Sequence, residues 1–505
     1  MSYLLILDIG TTNVKALAFS LNGDLLESLE ERIKLKFPEH GWVEGDPRDI
    51  INIVQNHISK IEGSLGKPLG IAITNQRSTT ILWDKETGEP IYNMITWQDT
   101  RTKELVESFS SKFIVRFGNA LGKFLKAFSR ILPVIKRTKK GAYIITLAHL
   151  SFGTTHSSMH IRWIMDNIED ARSAINSGRV LFGTIDSWVA WNLTGKHVTD
   201  YTNASATGLF DPFYLKWSDN ITKIVGIPRN ILPKFVYNDQ IIGTVKDYGI
   251  PLLTMIADQQ ASLYMSGVAK GTVKMTNGTG TFIDMNVGER AYAGDIGIYP
   301  LVALGTRNKT LYLLEGIINN SGSAIDWLID IGLMKDYDEI EKAFEKRETG
   351  ELIFIPALSG LNTPYLRPEI KGAIFGLTRG TDRFDIIRAM VTGIAVRCSE
   401  VIEFLEKISG IRIEKVMADG GFSKNDEFLQ LVSDLSGKEI LRPQFLNGSA
   451  YGTFMLARAI HQNNDVIASW STPRLEKIFK PTRGKDISIK NLWRSYLDIL
   501  LSIIQ

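Results

Sequence analysis

Four short stretches carry residue types suited to moving a phosphoryl group. In "ILDIGTTNVKALAF" (Ile6–Phe19) an aliphatic run reaches Asp8, turns at Gly10-Thr11-Thr12, and resumes as apolar residues from Val14. A short glycine-threonine turn leaves backbone N–H groups and hydroxyls pointing outward, which suits phosphate oxygens. Asp8 beside it offers the hard oxygen that Mg2+ takes, directly or through water, and Lys15 offers charge opposite a transferring group. The same stretch also fits an ordinary polar β-turn capped by an aspartate.

"VKMTNGTGTFIDMNVG" repeats the pattern with a turn at Gly278-Thr279-Gly280. "KVMADGGFSKNDEFLQLVSDLSG" sets Asp419-Gly420-Gly421 between a strand end and a helix whose Phe428, Leu429, Val432 and Leu435 fall at helical spacing. Glycines before a helix start admit a ligand to the backbone and favour negative charge there. In "IADQQA", Leu252–Ile256 lead as a strand to Asp258. A carboxylate at that strand end can accept the proton of an attacking hydroxyl, or it is a buried aspartate satisfied by backbone donors.

These loops need a frame to hold them. The runs on either side of Gly10–Thr12, with the hairpin signal Asn22-Gly23, predict three antiparallel strands over residues 4–28. Two glycine-threonine hairpins in two halves of the chain predict a duplicated fold. At 505 residues two domains are expected. The chain is 44% hydrophobic, and its net charge of +3 is too small to imply a nucleic-acid partner. A single cysteine, Cys398, excludes an intrachain disulfide framework and fits a reducing compartment. The N-terminus lacks a signal-peptide pattern, and no apolar run reaches about 18 residues, so a cytoplasmic location is expected.

Taken together, the phosphate loops resemble those of the actin-like ATPase fold. The segments "ITNQRSTTILWDKETGEPIYNMITWQDTRT", "GTIDSWVAWNLTGKHVTDYTNASATGLFD", "ADQQASLY" and "FIPALSGLNTPYLRPEIKGAIFGLTRGT" narrow the likeness to the FGGY carbohydrate kinases, most similar to the glycerol kinases. The resemblance implies an α/β protein of two ribonuclease H-like domains flanking a cleft. The N-terminal domain, residues 1–243, would bind a polyol or sugar, and the C-terminal domain, 244–505, the nucleotide. ATP and Mg2+ are the implied cofactors, a small polyol or sugar the partner, and a homo-oligomer, a dimer, the assembly. By the same resemblance Asp8 holds the metal, Asp258 is the general base, and Lys15 faces the γ-phosphoryl group. Thr11, Thr12, Gly278, Thr279, Gly280, Gly322, Gly421 and Asn425 would contact ATP. Arg77, Ser78, Trp97, Asp258, Gln259 and Phe282 would contact the acceptor, although a tryptophan such as Trp97 is also an ordinary core residue.

The departures cluster around the acceptor. Ser78 stands where glycerol kinases carry a glutamate, Thr155 where they carry a tyrosine, and His160 where they carry a lysine; Lys15 replaces an arginine and Asp326 a glutamine. His156 or His160 could take over hydroxyl binding, or be solvated loop histidines. Removing polar partners from a hydroxyl site changes selectivity strongly. Glycerol phosphorylation is therefore the leading expectation. The alternatives are another acceptor, such as a tetritol, pentulose or triose, and a regulatory nucleotide-binding protein of the same fold.

An insertion at about 108–150 is basic. From Ser108 through Met165 there is no Asp or Glu, while Lys112, Arg116, Lys123, Lys126, Arg130, Lys136, Arg137, Lys139 and Lys140 accumulate. Leu121, Phe124, Leu125, Phe128, Leu132 and Ile135 recur at helical spacing, with a kink expected at Pro133. Such a helix either packs its apolar side on its own domain, or docks on an anionic membrane or a protein partner.

Overall fold

The computed structural model describes residues 2–129, 132, 138–149, 152–293, 298, 300–345, 352–482 and 487–503. The aliphatic run before Asp8 becomes β1 (Tyr3–Ile9), buried at all seven positions. A strand buried on both faces belongs in the middle of a sheet. β2 (Asn13–Ser20) and β3 (Leu25–Arg32) follow as an antiparallel meander, and Gly23 (φ +92°) makes the second turn. On the other side, β4 (Ile71–Asn75) runs parallel to β1. β5 (Gly243–Val245) and β6 (Ile250–Ala257) complete the sheet, β6 parallel to β4 and β5 antiparallel at the edge. The order is β5-β6-β4-β1-β2-β3.

The second sheet repeats this plan. β7 (Val273–Asn277) and β8 (Thr281–Gly288) form the hairpin about Gly278–Gly280. β9 (Pro300–Gly305) and β10 (Thr310–Ile318) extend it on the β8 side as antiparallel neighbours. β11 (Lys415–Asp419) and β12 (Glu439–Pro443) add in parallel beyond β7, and β13 (Leu475–Phe479) closes the edge. Five strands of each sheet share one order and one set of directions: β3-β2-β1-β4-β6 and β10-β8-β7-β11-β12. This is the ribonuclease H-like unit, present twice as expected.

Helices cover the sheets. α1 (Pro47–Leu65) starts with Asp46 accepting from the Arg48 amide and Pro47 in its first turn, and buries Ile50, Val54, Ile58 and Ile61 on one stripe. α2 (Phe113–Phe128) and α3 (Lys139–Thr146) belong to the insertion, whose expected kink at Pro133 lies outside the described residues. α4 (Ser157–Asn167) follows. α5 (Asp258–Ser266) leaves the first sheet, α6 (Gly322–Asp330) follows β10, α7 (Arg383–Ser409) backs the second sheet, and α8 (Asp426–Ser436) and α9 (Gly448–His461) come last. Because Ile250–Ala257 pair with β4, the division expected at 243/244 falls inside the first sheet; the chain crosses to the second only after α5.

α5 and α9 join the two halves. A Cβ on Gly452 of α9 would lie 1.9 Å from the Ala261 carbonyl oxygen of α5, so this close crossing needs glycine. Leu4, Ile6 and Phe19 of the first sheet and Leu313 and Met417 of the second are buried in one core with α5 and α9. Phe19 sits 5.0 Å from the Phe454 ring. Each such ring contributes about 1.5–3 kcal/mol through burial, so the two halves are held together by apolar contact.

Candidate active site

Sheet register brings the two aspartates together. Asp8 lies opposite Lys15 of β2 and Thr74 of β4, while Ile9 and Ala257 both pair with Asn75. Asp258, immediately after β6, therefore emerges two strands from Asp8, about 10 Å across the sheet. Burial pushes the Asp8 carboxyl up to about 6; the Asn447 amide, donating at 2.8 Å, opposes this, and the charge of Asp258 adds to it. Asp258 is also raised by burial, against the pull of Arg77, whose Nε lies 3.8 Å away.

Behind the aspartates a row of charges crosses three strands of the second sheet. Lys274 pairs with Asp284, and Asp284 with Glu315. Lys274 Nζ is 3.0 Å from Asp284, and both side chains are fully buried. Glu315 reaches out of the row to Arg77 at 2.7 Å, which joins the first domain to the second. Burial works against the Arg77 charge, but Glu315 and Asp258 hold its pKa above the usual value. Phe282 lies beside this bridge, its ring centre 5.8 Å from the Arg77 guanidinium. Lys274 donates to the Gln259 side-chain carbonyl, leaving the Gln259 amide group directed elsewhere.

The two turns differ in their surroundings. Thr11 donates to Gln76 at 3.1 Å and accepts from the Trp97 indole at 3.0 Å, so Trp97 is tied to the first turn. Thr12 is exposed, and Lys15 lies 3.4 Å from Glu30. At the second turn, Gly278 and Thr279 are exposed, and the Gly322 amide donates to the Gly278 carbonyl at 3.0 Å. A Cβ on Gly280 would stand 2.6 Å from the Ile318 oxygen. Gly420 (φ +87°) packs on Asn277, so Gly421, with open space where a Cβ would point, flanks the same loop. The Asn425 side chain caps α8, its Oδ1 accepting from the Phe428 amide at 2.8 Å. Tyr337 donates to Asp326 at 2.9 Å near Gly322.

On the acceptor side Ser78 is buried at φ +66° and donates its hydroxyl to the Ala206 carbonyl at 2.8 Å. His160 is not a loop residue: it is fully buried in α4, where Nε2 donates to the Thr154 carbonyl at 2.7 Å and Nδ1 accepts from Thr80. Burial lowers its pKa to about 4, so it stays neutral with both nitrogens engaged. His156 accepts from the Gly153 amide, and burial lowers it likewise to about 4. Thr155 is exposed. Helix formation from Ser157 onward is what places His160 among buried side chains.

Several residues around the two aspartates were not singled out from the sequence. Asn447 and Ser449 at the start of α9 bond Asp8, and a Cβ on the intervening Gly448 would collide with Asp419. The run of small residues "NGSAYG" is the signal that a helix start approaches other backbone closely. Lys274, Asp284 and Glu315 are each the one charged residue of a largely buried strand, which is the signal for a buried ion network. Asp419 Oδ1 is buried without a hydrogen-bond partner. Among the described residues no group of three or more His, Cys, Asp or Glu side chains could hold a metal by itself. The donors available, Asp8 foremost, are carboxylate oxygens, which fits a Mg2+ shared with phosphate oxygens.

Known proteins resemble the chain over most of its length. Residues 3–125 and 126–263 match the N-terminal domain of the FGGY family of carbohydrate kinases, and residues 273–460 match its C-terminal domain. A glycerol kinase of Lactobacillus acidophilus is 38% identical over 469 residues, covering 90% of this chain and 89% of that protein. An Archaeoglobus fulgidus protein known as an uncharacterized sugar kinase is 34% identical over 503 residues, 98% of both chains. Plasmodium falciparum glycerol kinase, solved with ADP, superposes with a TM-score of 0.86 at 29% identity over 99% of this chain and 98% of that one. A xylulose kinase of Lactobacillus acidophilus shares the fold, with a TM-score of 0.81 at 20% identity over 100% of this chain and 98% of that one.

Proposed function

The chain belongs to the FGGY family of carbohydrate kinases and is an ATP-dependent sugar or polyol kinase, and we propose that its acceptor is a short polyol, glycerol first. The observation that carries this reading is the grouping of Asp8, Asp258 and Arg77, with Asp258 close enough to raise Asp8 and Arg77 3.8 Å from Asp258 and bridged to Glu315 of the second sheet. Arg77 presents fixed donors to vicinal hydroxyls, and Phe282 lies against the carbon chain. Asp258 takes the proton of the attacking hydroxyl as its oxygen bonds to the γ-phosphorus and ADP leaves. Asp8 would hold Mg2+, which when bound neutralises phosphate charge. Thr11, Thr12, Thr279 and Gly280 lie along the phosphates, and Gly322, Gly421 and Asn425 beside the adenosine. The first domain thus binds the acceptor and the second the nucleotide. A cytoplasmic setting belongs to this reading, and the chain's single thiol, Cys398, is buried.

A second reading has its own support. With Ser78 engaged by Ala206 and His160 by Thr80 and Thr154, the acceptor end lacks the charged pair of a glycerol site. This favours a longer acceptor, a tetritol or pentulose. A coupled ADP-release assay over glycerol, triose, tetritol, pentulose and hexose tests both. Highest kcat/KM with glycerol supports the first reading and with a longer acceptor the second; turnover with none overturns both in favour of a regulatory protein. Asp258→Asn is expected to lower kcat by about 10²–10⁴-fold with ATP binding retained. Unchanged turnover in that variant would remove Asp258 as the base.

A further inference from the structure

The insertion helix α2 presents its apolar side to solvent. Phe113 is 83% exposed, Phe124 68%, Ile114 and Phe117 58%, Phe128 41% and Leu121 40%. These positions form one continuous stripe along the helix. The opposite face is small and buried: Val115 and Gly122 are covered, and a Cβ on Gly122 would stand 2.2 Å from the Ala148 amide nitrogen. α2 is thus pressed onto its neighbours through its small residues, and no rotation can turn the aromatic stripe inward without losing that contact. Of the two sequence expectations, packing of the apolar side on its own domain is not seen for the described residues of α2, while Ile135 lies outside the described residues.

Charge identifies what the stripe meets. Arg116 and Lys123, two turns apart on one flank, are exposed beside it, and residues 108–165 contain no acid. A second copy docking stripe to stripe would bring like-charged flanks together with no carboxylate in the segment to pair them. A surface of anionic lipid headgroups over an apolar interior complements both features. Among the described residues no helix is long and apolar enough to cross a membrane. We propose that α2 is a peripheral docking helix for anionic lipid bilayers, its phenylalanines in the interface and Arg116 and Lys123 at the headgroups.

Flotation of the full chain with vesicles of equal phosphatidylglycerol and phosphatidylcholine, against phosphatidylcholine alone, tests this. The chain is expected to float with the anionic vesicles, more weakly as salt rises. Phe117→Ser with Phe124→Ser is expected to weaken partitioning by about 100-fold, and Arg116→Glu with Lys123→Glu by about tenfold or more. Because all four side chains are exposed, kinase turnover in solution should stay unchanged in both variants and so reports that they fold. Failure of the wild type to float, or flotation undiminished by the phenylalanine changes, overturns the proposal. So does a concentration-dependent dimer in sedimentation that those changes dissolve, which would assign the stripe to a second copy.

Discussion

The hairpin turns after β1 and β7 close in similar ways. The Gly10 amide bonds the Asn13 carbonyl at 2.9 Å, and the Gly278 amide bonds the Gly280 carbonyl at 2.9 Å. At the matching place one residue before each strand ends stand Asp8 and Thr276. Around the first turn the chemistry is in side chains: a carboxylate pushed up to about 6, Lys15, and Thr11 tied to Trp97. Around the second it is in backbone and space, since Gly280 and Gly322 sit where a Cβ would meet carbonyl oxygens at 2.6 Å. A duplicated sheet thus divides one task. A second buried carboxylate at the Thr276 place would oppose both phosphate and Asp419, whereas bare backbone lets the ligand approach.

Among changes to the two turns, making the first a copy of the second gives the largest expected effect. Asp8→Thr should lower kcat by about 10²–10³-fold, measured at saturating ATP and Mg2+. A loss below tenfold would remove Asp8 from the phosphoryl-transfer step. Crowding the second turn should act on binding instead. Gly280→Ala is expected to raise the KM for ATP about tenfold and to lower stability by about 1–3 kcal/mol, read by steady-state kinetics and thermal melting. An unchanged KM would mean that nucleotide does not pass close to this turn.

Titration separates the turns further, because only the first carries an acid. Asp8 must be ionised to serve a cation, so kcat/KM should fall as pH drops through about 6, and a profile flat through that range would mean that Asp8 does not govern the reaction. Stability runs the other way. A carboxyl raised in the fold costs nothing below the ordinary carboxylate pKa and destabilises the fold as pH rises through about 6. Asp8→Asn should therefore raise stability by about 1–3 kcal/mol at pH 8 and by much less at pH 4, in melts without ligand. The smallest change is expected for Lys15→Ala, about two- to fivefold in kcat, since the ammonium is 38% exposed and shared with Glu30. A thousandfold loss there would give Lys15 a role that its position beside Glu30 does not account for.

Local signals carried much of the frame. The run Leu4–Leu7, the Gly10–Thr12 turn and Asn22-Gly23 specify a meander within 30 residues, and β1, β2 and β3 follow it. The aliphatic strand before Asp258 likewise set that carboxylate at a strand end. Longer-range features were not legible. Asn447 bonds Asp8 from 439 residues away, and no local pattern ties the two. The lone charges Lys274, Asp284 and Glu315 signal burial, but their alignment in one row depends on register between strands joined by separate loops. Periodicity in α2 was visible, yet which face turned inward was settled by the close approach of Gly122 to Ala148.

The order of residue types along this chain determined the two sheets, their hairpin turns and the aspartates at strand ends, because strand period and turn preference act over a few neighbours. Tertiary structure alone decided that Arg77 meets Glu315, that Ser78 and His160 are engaged by the protein, and that α2 shows its aromatic side. Those outcomes depend on which surfaces approach closely enough to exclude water, a property of the assembled cores that no single segment carries.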